Sequence, residues 1–259
     1  MDRTLFIFDL DGVIYRGDAV MPHAAECIHR LSKCGHLVYY LTNNASKTRQ
    51  SVADKLTGMG IPTAAWQVMN SSFGTALWFK EFGHVGKKVM IIGEEGCFEE
   101  LNAGGMATVE PAAGVCADFV VVGIDRQFSY QKLMHVQQAI LNGATFIATN
   151  RDPTFPYEDG VAPGGGSLVA AVATSVGREP IVIGKPEIYC INQIIKLAGV
   201  PREHAVMVGD RLDTDIAVGN RADVRTVLVM GGVTSMEEAE SAEGEERPSR
   251  IIENLSELN

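Results

Sequence analysis

The apolar run Leu5-Phe6-Ile7-Phe8 ends in Asp9 and, two residues further on, Asp11. A buried strand has no use for two carboxylates at its end unless they act, because burying unpaired charge is costly. Residues i and i+2 of an extended chain share a side, so the two acids converge at the strand's carboxyl end. Open α/β sheets place their ligands there. Adjacent carboxylates repel, and a cation or a shared proton is expected between them. Gly12 supplies the sharp turn that follows. Asp-x-Asp-Gly also opens a calcium loop, but Val13, Ile14 and Tyr15 stand where further acidic ligands would be needed. Taken alone, the segment also reads as an ordinary polar turn.

Three other apolar runs end in groups with chemical potential. Run 37–41 leads into Thr42-Asn43-Asn44, whose hydroxyl and backbone N–H groups suit phosphate oxygens and equally suit a helix cap. Run 181–183 leads into Gly184-Lys185-Pro186, a point charge that can offset a phosphate or lie on the surface as most lysines do. Run 206–208 leads into Gly209-Asp210-Arg211-Leu212-Asp213-Thr214-Asp215, a second acidic cluster that also reads as an acidic helix start. Each has an ordinary structural explanation. Together they supply a carboxylate nucleophile, phosphate ligands, a cation and metal-binding acids, which are the parts of phosphoryl transfer.

The elements that must position these groups alternate along the chain. Strands are predicted over 5–9, 36–41, 88–92, 118–124, 145–149, 180–184, 204–209 and 224–229. Helices are predicted over 24–34, 46–58, 72–82, 129–142, 166–176, 187–198 and 214–221. Such alternation calls for parallel βαβ units with helices on both faces. Segment 235–247 is an acidic surface helix or loop. The glycines Gly164-Gly165-Gly166 precede a helical pattern but fit neither a dinucleotide fingerprint nor a P-loop, so close helix packing is expected of them.

Composition narrows the function classes. The 259 residues are 46% hydrophobic and 21% charged, enough for a substantial core and against wholesale disorder. A net charge of −10 argues against nucleic acid or an anionic membrane as the main partner, since both want a basic face. Five scattered cysteines without a C-x-x-C pair suit a reduced, cytoplasmic protein. Six dispersed histidines show no zinc-binding spacing. No charged leader and no membrane-spanning stretch is read from the chain.

Phe8-Asp9-Leu10-Asp11-Gly12-Val13, Leu41-Thr42-Asn43, Gly184-Lys185-Pro186 and Gly209-Asp210-Arg211-Leu212-Asp213-Thr214-Asp215 resemble, in order, motifs I to IV of the haloacid dehalogenase-like (HAD) hydrolases. The long gap between Asn43 and Lys185 is similar to the subgroup with a large α/β cap inserted between motifs II and III. Within that gap, Phe146-Ile147-Ala148-Thr149-Asn150-Arg151-Asp152 and Pro163-Gly164-Gly165-Gly166-Ser167 resemble the NagD and 4-nitrophenylphosphatase type. Pro22-His23 departs from a Pro-Gly pair frequent in that subgroup and lies outside the motifs.

The resemblance implies a doubly wound, Rossmann-like parallel-sheet core over 1–79 and 181–259, with a smaller α/β cap over 80–180 that selects the substrate. It implies Asp9 as nucleophile, Asp11 as acid and base, and Thr42, Asn43 and Lys185 as phosphate ligands. Mg²⁺ would sit on Asp9, the Asp11 main-chain oxygen and Asp210, with Asp215 supporting that shell. Asn150, Arg151 and Asp152, mid-cap, are candidate specificity residues, Arg151 for an anionic leaving group. The expected activity is hydrolysis of small phosphomonoesters through an aspartyl-phosphate, with 4-nitrophenyl phosphate as artificial substrate. The partner is a small phosphorylated metabolite, and a homodimer is an admissible assembly. A phosphotransferase or mutase of the same superfamily is the alternative within the class. A catalytically silent metabolite-binding protein is the alternative outside it, disfavoured by the intact Asp9, Asp11, Lys185 and Asp210.

Overall fold

The computed structural model describes residues 3–157 and 160–258. The chain divides into two compact units, one comprising residues 1–42, 52–69 and 185–259, the other 43–51 and 70–184.

The first unit is organised by a six-stranded sheet in the order Arg250–Ile252, Arg225–Val229, Ala205–Gly209, Leu5–Phe8, Leu37–Thr42, Val68–Asn70. The pairs joining the first five of these strands are parallel. Parallel sheets need helices on both faces, so their strands are apolar on both sides rather than alternating. Leu5, Ile7 and Phe8 are accordingly fully buried, with Phe6 nearly so. Phe6, Phe8, Val38, Tyr40, Val206 and Val208 pack against Cys27, Ile28 and Leu31 of helix Ala24–Lys33 and Val52 and Leu56 of helix Arg49–Gly58. Each such large side chain contributes about 1.5–3 kcal/mol by burial.

Register fixes what lies at the carboxyl edge. Phe8 is level with Val208 on one side and with Tyr40 on the other. Asp9 and Asp210, which follow their strands, and Thr42, which ends its own, therefore lie along one edge.

The second unit has its own five-stranded parallel sheet, ordered Ile181–Val182, Thr145–Ala148, Phe119–Val122, Lys88–Ile92, Ala107–Val109. Its core joins Met90, Ile92, Val120, Val122, Phe146 and Ala148 to Val136 and Ile140 of helix Tyr130–Leu141 and Val169 and Val172 of helix Gly165–Val176. The glycine run that opens the latter helix packs backbone on backbone: a Cβ on Gly166 would lie 2.2 Å from the Arg151 carbonyl oxygen.

Two differences from expectation concern the boundary. Helix Ser71–Glu81 falls with the second unit, where Phe79 meets Phe119 edge-on at 4.8 Å. Segment 43–51 also falls there, tied down by Arg49 to the buried Glu100, by Asn70 Nδ2 to the Lys47 carbonyl and by Gly96 N–H to the Ser46 carbonyl. The second unit thus begins before residue 80 and runs to Gly184.

Candidate active site

Lys185 is the centre of the acidic cluster in the first unit. Its side chain is 4% exposed, and its ammonium donates to Asp9 Oδ1 at 2.6 Å, to Asp215 Oδ1 at 2.6 Å and to the Leu41 carbonyl at 3.2 Å. An ammonium has three donors, and each is met by one of these oxygens. Burial disfavours the charge on Lys185, but Asp215 and Asp9 more than offset it and hold the ammonium protonated, above its ordinary range. Burial pushes the Asp9 carboxyl well up; Lys185 opposes this, while Asp215 and Asp210 add to it.

Asp210 is clamped by the loop that leaves strand Arg225–Val229. Val233 N–H donates to Asp210 Oδ2 at 3.0 Å, and the Thr234 hydroxyl donates to the Asp210 carbonyl at 2.7 Å. A Cβ on Gly232 would stand 2.0 Å from Asp210 Oδ2, so only glycine lets the loop approach this closely. Burial, then the charge of Asp215, pushes the Asp210 carboxyl up to about 7. Asp215 lies in the wide helical turn Leu212–Ile216, a π-type turn of the kind often found at functional sites. Its Oδ2 accepts from the N–H groups of Asp210 and Arg211 at 3.1 and 3.2 Å. Both of its oxygens are thus engaged by the protein.

Oxygens of Asp9, Asp210 and Asp215 lie within 4.8 Å of one another. Asp210 Oδ1 is buried and, among the described residues, has no hydrogen-bond partner. A buried carboxylate oxygen left in that condition is costly, and a hard divalent cation with oxygen ligands resolves it. The donor set therefore fits a divalent metal.

Asp11 is half-buried at the start of a tight turn: Gly12, at φ +87°, donates its N–H to the Tyr15 carbonyl, and hairpin Tyr15–Arg16/Ala19–Val20 follows. Burial raises the Asp11 carboxyl, against the pull of Lys55 and Lys185. Lys55 sits over the Tyr15 ring at 4.1 Å and donates to the Gly17 carbonyl at 2.7 Å. Thr42 ends its strand buried. Asp213 lies outside the cluster, exposed and paired with Arg211.

Asn43, next in the chain, is gripped within the second unit. Its carbonyl accepts from Ser71 Oγ and Asn150 Nδ2, both at 2.8 Å, and its own Nδ2 donates to both Asp152 oxygens at 3.1 Å. Asn150 Oδ1 accepts from Asp152 N–H at 3.0 Å. Arg151 pairs with Glu179 at 2.8 Å. Asn150–Asp152 is thus a built turn, with Asn150 and Asp152 turned to Asn43 and Arg151 to Glu179.

Sequence reasoning passed over Lys55, Gly232, Val233 and Thr234. Met230-Gly231-Gly232-Val233-Thr234 follows an apolar strand run just as the other four clusters do. Its lack of reactive side chains hid it.

Residues 6–107 match a family model described as haloacid dehalogenase-like hydrolase, and residues 182–258 match a HAD-hydrolase-like model. The chain is 38% identical over 257 residues to the 5'-nucleotidase YutF of Bacillus subtilis, spanning 97% of this chain and 96% of that one. It is 37% identical over 235 residues to an acid sugar phosphatase of Staphylococcus saprophyticus, spanning 91% and 89%. Among solved structures, a p-nitrophenyl phosphatase from Archaeoglobus fulgidus superposes with a TM-score of 0.91 at 30% identity, covering 100% of this chain and 98% of that one. A glycerol phosphate phosphatase from Mycobacterium tuberculosis, in complex with magnesium, gives 0.91 at 33% identity, covering 98% and 75%.

Proposed function

Because the chain belongs to the haloacid dehalogenase-like hydrolases, we propose that it is a phosphatase that cleaves small phosphomonoesters through an aspartyl-phosphate. The observation that carries this is Lys185 buried between Asp9 and Asp215, beside an Asp210 oxygen that has no hydrogen-bond partner among the described residues.

In this reading an Asp9 oxygen attacks phosphorus and the bond to the ester oxygen breaks. Asp11, whose carboxyl burial raises, is the acid that protonates the departing oxygen. The resulting Asp11 carboxylate then takes a proton from water, the hydroxide attacks the aspartyl-phosphate, and phosphate leaves as Asp9 is restored. Thr42 hydroxyl, Asn43 backbone N–H and the Lys185 ammonium hold the phosphoryl oxygens. A divalent cation, Mg²⁺ in this proposal, would be held by Asp9, the Asp11 main-chain oxygen and Asp210, and supplies charge that offsets the phosphoryl oxygens.

Relatives carry the names 5'-nucleotidase, acid sugar phosphatase, phosphoglycolate phosphatase and glycerol-3-phosphate phosphatase. Those names support a small alcohol phosphate as substrate, with Arg151 favouring an anionic leaving group. A cytoplasmic location is proposed from the five free cysteines; among the described residues no helix is long and apolar enough to cross a membrane. A homodimer, the assembly proposed, is read out by light scattering.

The test is turnover of 4-nitrophenyl phosphate and a panel of these phosphomonoesters with Mg²⁺, EDTA and Asp9→Asn. Phosphate release abolished by EDTA, restored by Mg²⁺ and absent in Asp9→Asn supports the reading. Full activity of a folded Asp9→Asn protein removes the covalent step. Phosphate passing to an added alcohol rather than to water establishes the phosphotransferase alternative.

A further inference from the structure

Asn150 and Asp152 have their polar atoms turned onto Asn43, 107 and 109 positions away in the chain. Asn43 is 7% exposed and Asn150 4%. The Asn43 carbonyl takes two donors, Asn150 Nδ2 and Ser71 Oγ. A trans peptide holds its C=O and N–H antiparallel, so fixing this carbonyl fixes the direction of the next N–H, that of Asn44. Hydrogen bonds onto the carbonyl also polarise that N–H. The Asn43 carboxamide is fixed in turn by both oxygens of Asp152, in a charge-assisted contact. Asn150 Oδ1 accepts the Asp152 N–H, so the two residues brace each other. A Cβ on Gly184 would stand 2.4 Å from Asn43 Oδ1, so the carboxamide oxygen lies in space that only glycine at 184 leaves open.

We propose that Asn150 and Asp152 are positioning residues for the phosphoryl group: they set the backbone of Asn43 and Asn44, and they serve every phosphomonoester alike rather than choosing among leaving groups. This rests on the reading of the Thr42-Asn43-Asn44 turn, through its backbone N–H groups, as the phosphate-binding segment. It separates the triplet by role, since Arg151 has no part in the contact and pairs with Glu179 instead.

The experiment measures kcat and KM for 4-nitrophenyl phosphate, glycerol 3-phosphate and 2-phosphoglycolate, and the competitive inhibition constant of inorganic phosphate. The proteins are wild type, Asn150→Ala, Asp152→Ala and the near-isosteric Asp152→Asn, which keeps one acceptor oxygen and guards against misfolding in the alanine variants. Loss of a hydrogen bond to a charged group predicts a fall in kcat/KM of about tenfold or more in Asp152→Ala. The fall is expected by the same factor on all three substrates, with a matching weakening of inorganic phosphate. Asp152→Asn should fall between wild type and Asp152→Ala, and the Mg²⁺ concentration for half activity should not move. A loss that differs severalfold between substrates overturns the proposal in favour of leaving-group selection. Unchanged phosphate inhibition, or lowered thermal stability as the sole effect, overturns it in favour of a merely structural turn. An inactive wild type would instead sink the phosphatase reading.

Discussion

Replacing Lys185 with methionine keeps most of the side-chain volume and removes one charge from beneath three acids. The ammonium's three bonds, at 2.6, 2.6 and 3.2 Å, would all be lost. Asp9 and Asp215 would remain, with side chains 10% and 0% exposed. Taking one partner from a buried, hydrogen-bonded ion pair costs about 3–5 kcal/mol because the other charge stays buried. At ~2–4 °C per kcal/mol for a chain of this size, the melting temperature of the first unit should drop by roughly 6–20 °C. The assay is thermal unfolding in metal-free buffer, followed by fluorescence of Trp66, which lies edge-on to Tyr39 in that unit. The deficit should depend on pH. Lys185 lowers the carboxyl pKa values of Asp9 and Asp210, so without it both rise further in the folded state. A group raised on folding stabilises fully below its unfolded value, about 4 for an aspartate, and loses that contribution as pH rises through its folded value. The variant should therefore come closest to wild type near pH 5 and fall furthest behind near pH 8. A deficit below about 1 kcal/mol, the range of an exposed ion pair, or one that ignores pH, would refute the reasoning.

Asp11→Asn should slow hydrolysis of alkyl phosphates by about 10²-fold or more, and of 4-nitrophenyl phosphate much less, because nitrophenolate leaves without a proton; equal losses in kcat would deny Asp11 the acid role. Gly232→Ala places a methyl group 2.0 Å from Asp210 Oδ2 and should raise the Mg²⁺ concentration for half activity by about tenfold, since the carboxylate must shift; an unchanged metal titration contradicts this. Arg151→Ala should alter the kcat/KM ratio of anionic to neutral substrates by about tenfold, roughly 1.4 kcal/mol of differential binding; a constant ratio moves selection elsewhere. In the native protein a thiol reagent should label the exposed Cys34 and Cys116 quickly, and Cys27, Cys97 and Cys190 only on unfolding, burial having pushed the thiols of these three up to about 11, 12 and 12; fast labelling of all five would argue against the packing.

Much of the fold was legible because buried parallel strands are written as unbroken apolar runs. Leu5–Phe8, Lys88–Ile92 and Ala205–Gly209 fall within a residue of expectation. Strands Val68–Asn70, Ala107–Val109 and Arg250–Ile252 escaped because three residues are too few to show a period. Helix Ser71–Glu81 was legible as a helix, but nothing in its composition tells which sheet it joins, and that displaced the expected boundary. At the site, the acids and Lys185 stood out because charge at a buried strand end is conspicuous. Gly232 and Val233 act through a missing side chain and a backbone N–H, which leave little trace in a sequence. The grip on Asn43 depends on residues more than a hundred positions away, and no local pattern announces such a pairing.

The strand order also sets a timetable for biosynthesis. Leu5–Phe8 lies between Leu37–Thr42 and Ala205–Gly209. A nascent chain can pair one edge of its first strand early, but the other edge waits until residues 205–209 have left the ribosome, roughly ten seconds or more at about 20 residues per second. Meanwhile an apolar strand edge lies open to other chains. Residues 43–51 and 70–184 have no such wait, since they are all translated before Lys185. The ribosome thus delivers residues 70–184 ahead of the last stretch of the unit that flanks them in the chain, and a chaperone's protection is needed most for the stretch of chain made first.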